Sequence, residues 1–174
     1  MTKNKYLMNK GKINPVWQDQ EFYNLEYESR GGYGQDEYIM YGHDPYRVII
    51  NNDVYVGPME KMPNFSSKVI EQLPTHSSYS VAFYRTPPGN ILPVHKDMYC
   101  NYMKMNNISD VNKITRYIVF LEDAKRGHLF QIEKEVLADW KRGDWISWTG
   151  STLHAAYNLG IEHRYTMQVT CFDQ

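Results

Sequence analysis

The sequence contains no run approaching the roughly 18 uncharged residues that a membrane-spanning helix needs, and no continuous apolar stretch near its N-terminus of the kind a signal peptide carries. These absences predict a soluble, cytoplasmic protein. Cysteine is scarce. Cys100 and Cys171 are the only two among 174 residues, and without framework spacing they read as reduced thiols rather than a disulfide. An excess of charge of one sign is missing too. With 19 basic and 20 acidic residues the net charge is −1, so no broad basic footprint exists for a phosphate backbone and general nucleic-acid binding is disfavoured. Lys3, Lys5, Lys10 and Lys12 make the start of the chain locally basic, as a solvated tail does. Arg30-Gly31-Gly32-Tyr33-Gly34 is glycine-rich but lacks dinucleotide-binding spacing, and Arg142-Gly143-Asp144 reads as a turn.

What is present is enough apolar residue, 42%, for one substantial core. The chain reads as a single domain, 1–174, with residues 1–75 as helical and strand support for a β-rich core over 76–174. Phe65 to Leu73 is predicted as a helix: Phe65, Val69 and Leu73 recur every four residues and Pro74 stops it. From Ser78 the period shortens. Tyr79 to Arg85, Ile91 to Asp97, Ile114 to Leu121, His128 to Glu133, Trp145 to Trp148, Leu153 to Asn158 and Arg164 to Phe172 read as strands separated by turn signals. So many short strands imply a mainly β sandwich or barrel. Met103 to Lys113, polar and Asn-rich, is the expected flap. Tyrosine is abundant at 15 residues, which suits strands and an aromatic cleft. Tyr84, Tyr99, Tyr102, Trp145 and Trp148 are candidates for its walls.

His95 and Asp97, two apart, project from one face of a strand and can converge on one metal with His154. Imidazole nitrogen with carboxylate oxygen suits iron(II), manganese or zinc, and three facial ligands leave three open positions. Taken singly, His95 reads as well as a surface histidine, Asp97 as a cap, His154 as a carbonyl-bonded core residue and Arg164 as a partner of Glu162. Together they favour a site. Arg164, Thr166, Gln168 and Thr170 share one face of the last strand, opposite Tyr165, Met167, Val169 and Cys171, so the polar set faces either water or a ligand pocket. The turn at Leu159 to Glu162 brings Arg164 beside His154. His43, His76, His128 and His163 lack partners at ligand spacing, and Cys100 reads as a packed side chain rather than a ligand.

The motifs His95-Lys96-Asp97, His154 and Arg164-Tyr165-Thr166 resemble the His-x-Asp, distal His and Arg-x-Ser/Thr motifs of the iron(II)- and 2-oxoglutarate-dependent dioxygenases. The likeness covers residues 78 to 172. Thr115-Arg116-Tyr117-Ile118, Gly127-His128-Leu129 and Arg142-Gly143-Asp144-Trp145 are similar to the aspartyl/asparaginyl (and prolyl) hydroxylase-like branches, although Asp97 follows the commoner three-ligand pattern and argues against a halogenase. The resemblance implies a double-stranded β-helix of jelly-roll or cupin type with a few N-terminal helices. It also implies Fe(II) on His95, Asp97 and His154, with 2-oxoglutarate held by Arg164 and Thr166. Arg116 is expected to help bind that co-substrate or the primary substrate. The implied activity is hydroxylation of an amino-acid-like or peptidyl substrate by O2, with release of succinate and CO2. Two alternatives stay open: a cupin-type metal enzyme that does not use 2-oxoglutarate, and a non-catalytic β-barrel binding module.

Overall fold

The computed structural model describes residues 8–29, 39–40, 42, 52–74, 77–150 and 152–172. Lys3, Lys5, the Arg30 to Gly34 loop, His43 and His76 lie outside the described residues. Eleven described strands, paired antiparallel throughout, form two sheets. The larger runs β1 (Asn9–Lys12), β9 (Asp144–Thr149), β6 (Ile114–Phe120), β11 (Arg164–Phe172), β4 (Ser77–Thr86), β3 (Asp53–Val56), β2 (Glu28–Ser29). The smaller runs β5 (Ile91–His95), β10 (His154–Asn158), β7 (His128–Ile132), β8 (Glu135–Leu137). Together they make a double-stranded β-helix whose two sheets remain separate rather than closing into a barrel.

All seven strands expected from the sequence are present. The four additional ones, β1, β2, β3 and β8, are two to four residues long, too short for alternation to register. They lie at or next to sheet edges.

The last strand shows how the sequence sorts the two faces. β11 is central, between β4 and β6, so both of its faces are covered. Met167, Val169 and Cys171 pack with Val81, Phe83, Tyr117 and Val119 against Trp17, α1 (Asp19–Tyr23) and α2 (Phe65–Ile70). The predicted helix from Phe65 thus ends at Ile70 and runs on as turns to Leu73, whose amide donates to the Ile70 carbonyl at 3.1 Å. Trp17 ties this layer down by donating its indole N–H to the Leu121 carbonyl at 2.9 Å.

The opposite face looks between the sheets. There Ile118, Phe120, Ile146 and Trp148 meet Phe130, Ile132 and Ala156 in a second apolar cluster, closed by Trp140 stacked on Phe120 at 4.2 Å. Trp145, expected near the cleft, alternates away from Trp148 and packs on Tyr117 at 5.5 Å on the helix side. The β10–β11 hairpin is seated on β7 by Gly127, whose φ is +89° and whose added Cβ would lie 2.4 Å from the Gly160 backbone nitrogen; only glycine permits that approach.

Candidate metal centre

His95 ends β5 and is Cα-paired with His154, the first residue of β10. Their rings lie 4.3 Å apart. Each Nδ1 faces a backbone carbonyl two residues earlier, His95 against Pro93 at 2.8 Å and His154 against Thr152 at 3.0 Å. A carbonyl accepts only, so Nδ1 carries a proton and Nε2 is the nitrogen left for a ligand. This is the second-layer contact that orients metal-binding histidines. The sequence reading did not single out Pro93 or Thr152. Their shared offset from the two histidines is the signal that would have found them.

The strand predicted over Ile91 to Asp97 is shorter, since β5 stops at His95, and Asp97 lies beyond its end. It sits in the extended link to α3 (Cys100–Asn106), which still carries its carboxylate to the two rings. Asp97 Oδ1 lies 3.7 Å from His95 Nε2, and Oδ2 lies 3.4 Å from His154 Nε2. The three ligand atoms fall within 4.8 Å of one another. Two cis ligands at about 2.1 Å from an ion stand roughly 3 Å apart, so each Asp97–histidine distance would close by under about 1 Å around an ion. Burial would raise the Asp97 carboxyl, but the Arg116 guanidinium and then the two imidazoles hold it well below the usual carboxylate range. Burial, opposed by Asp97, pushes His154 down to about 4. At neutral pH His154 is therefore a neutral imidazole and Asp97 a carboxylate, the protonation states in which such groups bind metal. The exposed Cys100 stays outside the cluster.

Arg116 lies beside the site, but its Nη1 donates to Asp97 Oδ2 at 2.6 Å. Its guanidinium covers the Tyr99 ring at 4.6 Å. Tyr99 precedes α3 in the left-handed region, φ 52°. The expected flap from Met103 therefore begins inside a helix and ends in a 3-10 turn at Val111–Lys113.

Arg164 enters the same interior from β11 and is 3% exposed. Nη1 donates to the carbonyls of Leu129 at 2.9 Å and Tyr157 at 3.2 Å, and Nη2 donates to Thr86 Oγ1 at 3.0 Å. Glu162 pairs with Lys125 instead, and Arg164 has no acidic partner among the described residues. Burial alone pushes it down to about 10. Tyr157 is three residues beyond His154, so the cation sits about 10 Å along the strand from the triad. Trp148, packed on His154 at 4.7 Å, and Phe130, beneath Arg164 at 6.0 Å, line the span between them. Thr166 is buried on the same face, opposite Tyr84 and Phe120.

Seven buried side-chain polar atoms among the described residues make no hydrogen bond. Two of them, the Nε atoms of Arg116 and Arg164, are donors in this interior. Three converging ligand atoms beside unused donors fit a cation accompanied by an anionic, oxygen-rich ligand.

No known protein family matches the chain by sequence, and no curated protein matches it. Solved structures show the fold. An oxidoreductase of the 2OG-Fe(II) oxygenase family from Burkholderia pseudomallei is similar at a TM-score of 0.55 and 13% identity, over 87% of this chain and 75% of that one. A Pseudomonas putida prolyl-4-hydroxylase is similar at a TM-score of 0.52 and 11% identity, over 71% and 72%. The Schizosaccharomyces pombe Cnp3 cupin domain is similar at a TM-score of 0.43 and 11% identity; 70% of this chain spans 65% of that one. The chain therefore has the double-stranded β-helix fold of the two structures similar above a TM-score of 0.5.

Proposed function

We propose that this protein is a non-haem iron(II)- and 2-oxoglutarate-dependent dioxygenase that hydroxylates an amino-acid-like or peptidyl substrate, residues 76–174 carrying the chemistry and 1–75 supporting it. The observation that carries the reading is the coexistence, in one interior, of the His95, Asp97, His154 cluster and a buried Arg164 without a carboxylate partner among the described residues. A buried guanidinium held by neutral acceptors alone keeps a desolvation cost that an anion relieves. With the metal and the 2-oxo acid bound, the centre supplies oxidative chemistry that consumes O2, releases succinate and CO2, and places one oxygen atom on a substrate carbon.

The chain's own residues do the rest. Pro93 and Thr152 hold the two imidazoles with Nε2 inward. Arg164 and Thr166 receive the far carboxylate of the co-substrate, and Trp148 and Phe130 keep water from the span between them. Arg164 also fits a structural role, because its three hydrogen bonds tie β4, β7 and β10 together, and that observation favours a cupin-type enzyme without 2-oxoglutarate.

An anaerobic titration separates the readings. Iron(II) followed by 2-oxoglutarate is expected to give a saturable visible charge-transfer band that is lost in His154→Ala. Iron binding without the band would support the cupin-type reading. No iron binding would leave a binding module.

A further inference from the structure

The Asp97 carboxylate has both oxygens turned towards the histidines. Oδ1 is the nearer to His95 Nε2, at 3.7 Å, and Oδ2 the nearer to His154 Nε2, at 3.4 Å. Left to itself, such a carboxylate can give a metal either one oxygen or two. Arg116 occupies Oδ2 at 2.6 Å. Its position is fixed from three sides. In the sheet it stands between Thr170 of β11 and Trp148 of β9. Its guanidinium rests on the Tyr99 ring at 4.6 Å. The side chain is only 14% exposed, which favours a single geometry for the pair.

We propose, on the metal-centre reading above, that Arg116 is a positioning residue: by holding Oδ2 of Asp97 it presents Oδ1 alone to the metal and keeps a third coordination position open. Three protein ligands leave three positions in an octahedral centre, whereas a two-oxygen carboxylate would leave two. If a metal is held by His95, Asp97 and His154, the charge-assisted bond from Arg116 to Oδ2 would set how many positions remain for other ligands.

The test uses Mn(II) alone as the probe on the full chain. Water-proton relaxation enhancement per bound Mn(II) counts exchangeable waters. Arg116→Met is expected to lower it by about one third, as three open positions become two, and Arg116→Lys, which retains the charge, is expected to restore it. A thermal melt checks folding, and Arg116→Gln is read in the same way if the Met variant does not fold. A folded Met or Gln variant with the full wild-type enhancement overturns this inference alone. Wild-type enhancement that survives His154→Ala overturns the metal-centre reading and this inference with it. A merely structural arginine would change the melt and leave the water count unmoved.

Discussion

Replacing Arg164 by Met keeps the length of the side chain while removing the buried cation. Burial lowers the guanidinium to about 10, which corresponds to roughly 3 kcal/mol of lost solvation at about 1.4 kcal/mol per tenfold change. No described acidic group returns that energy. A dicarboxylate placing its far end on Arg164 would recover most of it, and about 3 kcal/mol is roughly a 100-fold change in dissociation constant. Arg164→Met is therefore expected to weaken 2-oxoglutarate binding to the Mn(II)-loaded, anaerobic protein by about 100-fold. Pyruvate, a 2-oxo acid without the distal carboxylate, is expected to bind both forms alike. Calorimetric titration of each ligand into each protein gives the four constants. Reading a ratio of ligand affinities cancels the variant's own stability change, to which the lost bonds to Leu129, Tyr157 and Thr86 contribute about 1–3 kcal/mol apiece wherever an acceptor is left unpaired. An equal affinity of wild type and variant for 2-oxoglutarate would refute the anchoring role of Arg164.

His128 gives a pH dependence away from the metal centre. Its Nδ1 accepts the Lys125 amide at 3.4 Å and its Nε2 faces the Glu162 carbonyl at 3.2 Å, so the ring fits only neutral, and burial lowers it below its ordinary value. A histidine depressed on folding contributes stability that is complete above the unfolded value near 6.5 and is lost as pH falls towards the folded one, at a slope of up to about 1.4 kcal/mol per pH unit. Urea melts between pH 7.5 and 5 should show that loss, and a shallower one in His128→Gln; an unchanged slope would sink the assignment. Gly127→Ala places a methyl 2.4 Å from the Gly160 backbone nitrogen at φ +89°, which neither backbone can yield cheaply. It should cost more than about 2 kcal/mol in the same assay, and a loss under about 0.5 kcal/mol would mean that the turn relaxes freely.

The strands that alternate over five or more residues were legible because each buries one face against a different layer. In β11 the polar set and the apolar set separate cleanly, and the hairpin that joins it to β10 is marked by Leu159 to Glu162. Edge strands such as Glu28–Ser29 carry too few residues for any period. The convergence of His95, Asp97 and His154 was also legible, although through a partly mistaken route: Asp97 reaches the rings from the link after β5 rather than by strand alternation. Arg116 was visible as a basic residue on a strand. Its bond to Asp97 was not, because it depends on how the 97–100 link folds back over β6 around a left-handed Tyr99. Trp145 was misplaced for the converse reason. Its neighbour Trp148 holds the inner face, and three positions along a strand always reverse the side.

The polar half of the interior is costly to desolvate. Taking the Asp97–Arg116 pair out of water costs several kcal/mol per ion, and well-packed apolar residues of similar volume commonly do as well or better. Arg164, without even a counter-charge among the described residues, is costlier still. The other half shows what this fold can do instead: Phe120, Phe130, Ile132, Ile146 and Trp148 fill the same space between the same sheets with uncharged side chains whose one polar atom is the Trp148 indole nitrogen. The split falls across strands that serve both halves. β6 carries Arg116 and Phe120 on one face, and β10 carries His154 and Ala156. On both strands the change from apolar to polar falls within a single face, between the apolar cluster and the His95, Asp97, His154 cluster. The charge whose desolvation the folded protein does not recover is that of Arg164, and an anion reaching it from a metal ion held by the His95, Asp97, His154 cluster, as proposed above, would recover it.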